Sequence, residues 1–148
     1  MPKYQRVPRK SLLVLLAILL LVLFRHGWNS IEAPPVGKVA GVDIERVIQA
    51  RAGRTWVETG GSVTRLLTDD REGSSHQRFI LRLDSGSTVL VAHNIDLARR
   101  VPLQVGDVVR LRGRYEWNDK GGIIHWTHHD PGNLWAGGWI EHRTIRYQ

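Results

Sequence analysis

Past residue 54 apolar and polar residues alternate; only near the start of the chain do apolar residues run together. Leu12 to Phe24, LLVLLAILLLVLF, is apolar on every face, which argues against a helix that buries one side in a core. Its thirteen residues would span about 20 Å as a helix, short of the ~30 Å hydrocarbon layer of a bilayer. That length suits a secretory signal peptide, yet no convincing small-x-small cleavage site follows. Ala33 precedes Pro34, and Ala40 has Lys38 two positions before it. An uncleaved anchor gains reach from snorkelling Arg9, Lys10 and Arg25, with Trp28 at the interface. We expect residues 1–28 to be a signal anchor, with a cleaved signal peptide as the alternative.

Residues 29–41, with Pro34, Pro35 and two glycines, read as a linker, and 42–148 as one domain. A short helix is predicted near Asp43–Ala52, capped by Asp43 and stopped by Gly53, with Ile44, Val47, Ile48 and Arg51 on one face. Strand patterns then recur at about Thr55–Leu67, Gln77–Leu83, Thr88–His93, Asp107–Trp117, Gly122–His129 and Trp139–Tyr147. Gly60-Gly61 suggests a bulge or bend in the first, and Asp84–Ser87 and Asn118–Gly121 read as hairpin turns. Phe79, Leu81 and Leu83 oppose Arg78, Ile80 and Arg82; Val109, Leu111, Gly113, Tyr115 and Trp117 oppose Arg110, Arg112 and Arg114. One face of each strand is core and the other is wet and basic. The expected fold is mainly β, a small OB-like barrel of five to six strands with a non-strand link at Ile95–Val105. An open sandwich or another small barrel is the alternative.

Charge then changes the picture less than its total of +7 suggests. Lys3, Arg6, Arg9, Lys10 and Arg25 flank the apolar run; without them sixteen basic residues face fourteen acidic ones. The basicity is largely topological. By the positive-inside rule the start of the chain is cytoplasmic. The domain then sits outside the bacterial inner membrane, facing the periplasm or cell exterior, or is released to the periplasm if the leader is cleaved. Residues 11–28 would be the membrane contact, and duplex nucleic acid is the least favoured partner. There is no cysteine, which excludes disulfides, thiolate metal sites and cysteine nucleophiles.

The stretch VAHNIDLARRVPLQVGDVVRLRGRYEWNDKGGIIHWTHHDP, with DDREGSSHQRFILRL before it, resembles the bacterial domain of unknown function 3465 family over Gly41–Tyr147. Arg99 departs from that pattern, where proline is expected. The resemblance implies an OB-like envelope protein and brings no established activity.

Histidine is the unusual chemistry. His76, His93, His125, His128, His129 and His142 all lie in the domain, and HWTHHDP packs three of them beside Asp130. Imidazoles two or four apart on a strand, with a carboxylate, can hold a divalent ion such as Zn or Mn, which makes His76, His93, His125, His128, His129 and Asp130 candidate ligands. The plainer reading is a set of rim histidines bonded to backbone or water. OB topology would gather His76, His93, Asp69, Asp70 and Asn118, and His125, at one rim, while His128–Asp130 would lie about 20 Å along the strand as a separate group. Trp117 and Trp126 are expected in the core, and Trp135, in a glycine-rich loop, exposed as a ligand contact. No serine sits in a nucleophile elbow. The leading expectation is a non-catalytic binding or accessory domain for a small molecule, glycan, peptide, anion or single-stranded nucleic acid. The alternatives are a metal-binding protein or metal-dependent hydrolase, or a structural subunit.

Overall fold

A computed structural model describes residues 42–148. The expected leader and linker, 1–41, lie outside the described residues, among which no helix is long and apolar enough to cross a membrane. The chain opens with α1 (Ile44–Gln49) and continues through β1 (Thr55–Asp70), β2 (His76–Arg82), β3 (Thr88–Asn94), β4 (Val108–Glu116), β5 (Ile123–His125), β6 (Trp139–His142) and β7 (Ile145–Tyr147). The Asp43 carboxylate caps α1 by accepting the Glu45 N–H at 3.1 Å, and Ile44 and Val47 are buried. The helix is shorter than expected. Arg51, not Gly53, takes the left-handed turn that ends it (φ 51°).

The seven strands form one mainly β sheet in the order β1-β2-β3-β5-β4-β6-β7, and β1 also pairs with β4. That extra pairing closes β1, β2, β3, β5 and β4 into a five-strand ring. It is possible because β1 is 16 residues long and changes partner: Thr55–Ser62 pairs with β4, and Ser62–Asp70 with β2. Gly61 lies close against β2, where an added Cβ would stand 3.2 Å from Leu81 Cγ. The register slips fall later than Gly60-Gly61, between Val63 and Arg65 and between Leu67 and Asp70.

Period-two alternation places the core. Val57, Val63, Phe79, Leu81, Val89, Val91, Val109, Leu111, Tyr115, Ile124 and Ile140 point inward and are no more than 1% exposed. Each such side chain contributes roughly 1.5–3 kcal/mol relative to its exposed state. Two strand predictions are corrected. Gly122–His129 is a strand only over β5, because Trp126 adopts φ 54° and turns the chain. Trp139–Tyr147 is not one strand but the β6–β7 hairpin, whose turn residues Arg143 and Thr144 both have positive φ (48° and 67°). Two successive positive φ values are what a tight hairpin turn demands, and here no glycine or asparagine advertises it.

Candidate functional site

The site begins with a histidine that is fully engaged. His93 points inward at the end of β3 and is 0% exposed. Its Nε2 lies 3.2 Å from the Arg99 carbonyl and its Nδ1 2.9 Å from the Thr127 hydroxyl. A carbonyl only accepts, so Nε2 carries the proton and Nδ1 accepts from Thr127. Burial pulls its pKa down to about 4, and the charges of His128 and His76 push the same way. His93 is therefore a neutral, hydrogen-bonded plug at neutral pH.

Its neighbours tie down the link after β3. Gln77, opposite His93 in the register, exchanges two hydrogen bonds with the Val101 backbone at 2.8 and 2.9 Å. The Asn94 carboxamide accepts the N–H groups of Asp96 and Leu97, and Asp96 accepts the Ser75 N–H at 2.7 Å. HNID is thus a structural clasp between the β1–β2 loop and the β3 exit.

Strand β5 runs parallel to β3, with Leu90 opposite Ile123 and Val91 opposite Ile124. Its start therefore lies beside the start of β3 and its end beside His93. Asn118 falls at the far end: its Oδ1 holds the β4–β5 turn by accepting from Lys120 and Gly122, and Gly121 lies against the Thr88 carbonyl. It does not join His76 and His93. His125, by contrast, arrives at their end, and the Trp126 turn swings Thr127 and His128 back over it. Gly113 and Gly138 make room for that turn. A Cβ on Gly113 would stand 2.6 Å from the His125 carbonyl, and one on Gly138 2.6 Å from the Arg112 carbonyl. The Thr127–His93 bond brings His128 to the end of β3 where His76 pairs with Asn94 and where β5 delivers His125, so the two constellations expected to lie apart form one corner.

Three imidazoles line its rim. His76 Nδ1 donates to the Ser74 carbonyl at 2.8 Å, and His128 Nδ1 to the His129 carbonyl at 2.6 Å. In the neutral rings each Nε2 is left as an acceptor. Burial lowers the pKa of His125 and of His128, partly opposed by Glu116 at His125 and by the backbone bond at His128. His125 Nε2 lies 3.9 Å from Glu116 Oε1 and has no hydrogen-bond partner. His129 is exposed. Among the described residues no group of three or more His, Asp or Glu side chains is arranged to hold a metal ion. The acids have other partners: Asp69 pairs with Arg100, and Asp70 accepts the Glu72 N–H and lies 4.0 Å from Arg78. Asp130 accepts the N–H groups of Gly132, Leu134 and Trp135, and the first of these with the other two holds its carboxyl below the usual range against the cost of desolvation.

Beside the imidazoles stands a laminate of tryptophan and arginine on the outer face of β1 and β4. The Trp135 ring stacks on Trp126 (5.3 Å, 20°) and leans on Trp56 (5.0 Å, 39°). Arg114 covers Trp126 at 4.5 Å and Arg112 covers Trp56 at 5.3 Å. Farther along, Arg110 and Arg146 flank Trp139 at 5.9 and 4.2 Å. The two ring systems touch where His125 meets Trp126 (5.5 Å) and His128 meets Trp135 (5.9 Å). The four arginines of this laminate share three glutamates: Arg112–Glu58 at 3.0 Å, Arg114–Glu116 at 3.2 Å, and Glu141 with both Arg110 at 3.7 Å and Arg146 at 3.3 Å.

Two core expectations are corrected here. Trp117 is 38% exposed and lies under Arg51, because the inward alternation of β4 ends at Tyr115. Trp126 leaves the core because its left-handed backbone rotates it away from the side Ile124 occupies. Trp135 is half-buried against its two partners, while Leu134 beside it is 89% exposed. Trp56 went unnoticed in the sequence. The signal was its place next to inward Val57, which sends it outward.

Among comparisons with known proteins, a family model described as a protein of unknown function (DUF3465) matches residues 38–148. No curated protein and no solved structure matches the chain.

Proposed function

The chain belongs to the DUF3465 family, and from that uncharacterised starting point we propose that it is a membrane-held, non-catalytic binding module whose five-strand ring is an OB-type barrel. Its domain faces the periplasm or cell exterior, on the strength of the basic-then-apolar start of the sequence. The observation that carries the binding reading is the contact between two kinds of recognition group in one corner. The imidazoles of His125 and His128 touch the indoles of Trp126 and Trp135, and the free Nε2 atoms of His76 and His128 add fixed acceptors. Such a mixture of apolar surface with a few oriented polar groups is what small-ligand sites use. Four of the candidate groups have structural partners: His93 is bonded at both nitrogens, and Asp69, Asp70 and Asp130 are held by arginines or backbone.

The test uses the full chain in lipid nanodiscs, screened by tryptophan emission against sugars, peptides and oligonucleotides. A saturable change abolished by Trp126→Ala and weakened by His76→Ala is expected. Saturable changes that survive both substitutions would remove this corner from the function. For orientation, a reporter fused after residue 148 should be active outside the inner membrane and inactive inside.

One observation favours a second reading, a metal-binding protein. Metal-ligating imidazoles commonly direct their other N–H to a carbonyl, as His76 and His128 do. Stoichiometric zinc or manganese in protein purified without an affinity tag, lost in His76→Ala and His128→Ala, would favour it.

A further inference from the structure

Resting on the reading of this corner as a binding site, we infer that its ligand is an uncharged saccharide, and that Trp135 fills the seat a sugar ring takes. Trp126 and Trp56 meet each other at 6.2 Å and 51°, and the seat lies against the corner they form. The Trp135 indole is in contact with both, and it comes from a segment whose other side chains are out in solvent: Pro131, Asn133, Leu134 and Ala136 are all exposed. The backbone of that segment is fixed. Asp130 accepts the Trp135 N–H at 3.0 Å and the Gly132 N–H at 3.0 Å, and Gly138 donates to the His128 carbonyl at 2.7 Å. An indole on a held backbone can leave by side-chain rotation alone, with the loop unmoved. Its departure would bare the Trp126 surface it covers, while Arg114 stays over that ring at 4.5 Å.

Three features select the ligand class. A pyranose ring is flat enough, and its C–H face apolar enough, to take the place of an indole against two others. Its hydroxyls are donors, and His128, whose ring meets Trp135 at 5.9 Å and whose Nδ1 is taken by the His129 carbonyl, offers Nε2 as an acceptor. The third feature is charge. Arg112 and Arg114, nearest the seat, are paired with Glu58 and Glu116, which leaves no free cation there for a phosphate or sulfate. Single-stranded nucleic acid also stacks on aromatic platforms, but its sites add a positively charged groove. The balanced arginines disfavour it.

The experiment titrates the full chain in nanodiscs with chitohexaose and maltohexaose as neutral probes, and with a heparin hexasaccharide and a thymidine decanucleotide as anionic ones. Binding of a neutral probe is expected to be abolished by Trp126→Ala. Removing the occupant in Trp135→Ala is expected to tighten it about tenfold, since the binding-competent state no longer competes with a filled one. Near- and far-ultraviolet circular dichroism of each variant checks that it folds, and Trp135→Leu, which keeps apolar bulk, serves if the alanine variant does not. Weaker or unchanged binding in a folded Trp135 variant overturns the seat. Binding of an anionic probe alone, dependent on Trp126, overturns the saccharide but leaves the binding module standing. Silence from all four probes, with unperturbed tryptophan emission, counts against both.

Discussion

The Thr127 hydroxyl and His93 Nδ1 meet at 2.9 Å across 34 residues of chain, inside the end of the strand ring. Through this bond the segment after β5 is fastened to the last turn of β3, and the corner of histidines and tryptophans is assembled around it. Thr127 is 0% exposed, so neither partner has water to fall back on. Replacing Thr127 with valine keeps the shape and strands the imidazole nitrogen. A loss of about 1–3 kcal/mol is expected from urea unfolding, the cost of an unpaired buried polar group. An unchanged midpoint would mean that the bond does not hold the corner.

Acid should loosen the domain as the pH falls below 6.5. The folded pKa of His93 is about 4, below the 6.5 of the free side chain, so the unfolded chain binds the extra proton first. Stability is then full above pH 6.5 and falls as the pH drops toward 4, by up to about 3 kcal/mol for this one ring. His125 and His128 are lowered by burial in the same direction and add to the slope. Asp107 and Asp130 are held down, so their share disappears only as the pH falls through their own lowered values. Unfolding midpoints measured at pH 7.5, 5.5 and 4.5 should decline steadily. In His93→Gln the decline should be visibly shallower; an identical slope would take His93 out of the account.

Gly138→Ala should be among the most harmful single changes. The new Cβ would stand 2.6 Å from the Arg112 carbonyl and 2.9 Å from Thr127 Cα, both backbone atoms that cannot swing aside. About 3 kcal/mol or more is expected, together with red-shifted tryptophan emission as Trp126 and Trp135 separate. Gly132→Ala, in the same loop, has its nearest neighbour at 3.4 Å and should be close to neutral. Equal effects from the two would contradict the close approach.

The glutamates can be tested as suppressors of charge. Glu58→Gln with Glu116→Gln unpairs Arg112 and Arg114 without changing side-chain shape. The double variant should gain salt-sensitive retention on heparin that the parent lacks. Stability should change by only about 1 kcal/mol, since these half-buried pairs still lie within reach of solvent screening. Strong retention of the parent itself would show the arginines to be free.

Much of the fold was legible because alternation is a local property. Phe79, Leu81 and Leu83, or Val109, Leu111 and Tyr115, announce an inward face whatever they pack against. What escaped depends on backbone angles that side chains do not advertise. Nothing in IIHWTHH marks Trp126 for a positive φ, so the strand was read straight through and His128 placed far from His93. Arg143-Thr144 likewise lacks the usual turn residues. The grouping of His76 with His93 was readable from the pairing of β2 with β3; the arrival of His125 and His128 was not, since it needs both the parallel β5 and the turn after it. Trp56 was missed because pairing Thr55–Ser62 with β4, which sets it beside Arg114, joins residues far apart in the chain.

That same long-range pairing sets the order in which the molecule can assemble. Thr55 finds its partner only at Tyr115, so hairpins β1–β2 and β2–β3 can form early while the first half of β1 waits with bare hydrogen-bonding groups. Non-local closure of this kind is slow, on the order of milliseconds to seconds. A chain ending before β4 would keep two open sheet edges and tend to aggregate, so no fragment shorter than the closed ring is expected to be well behaved in solution.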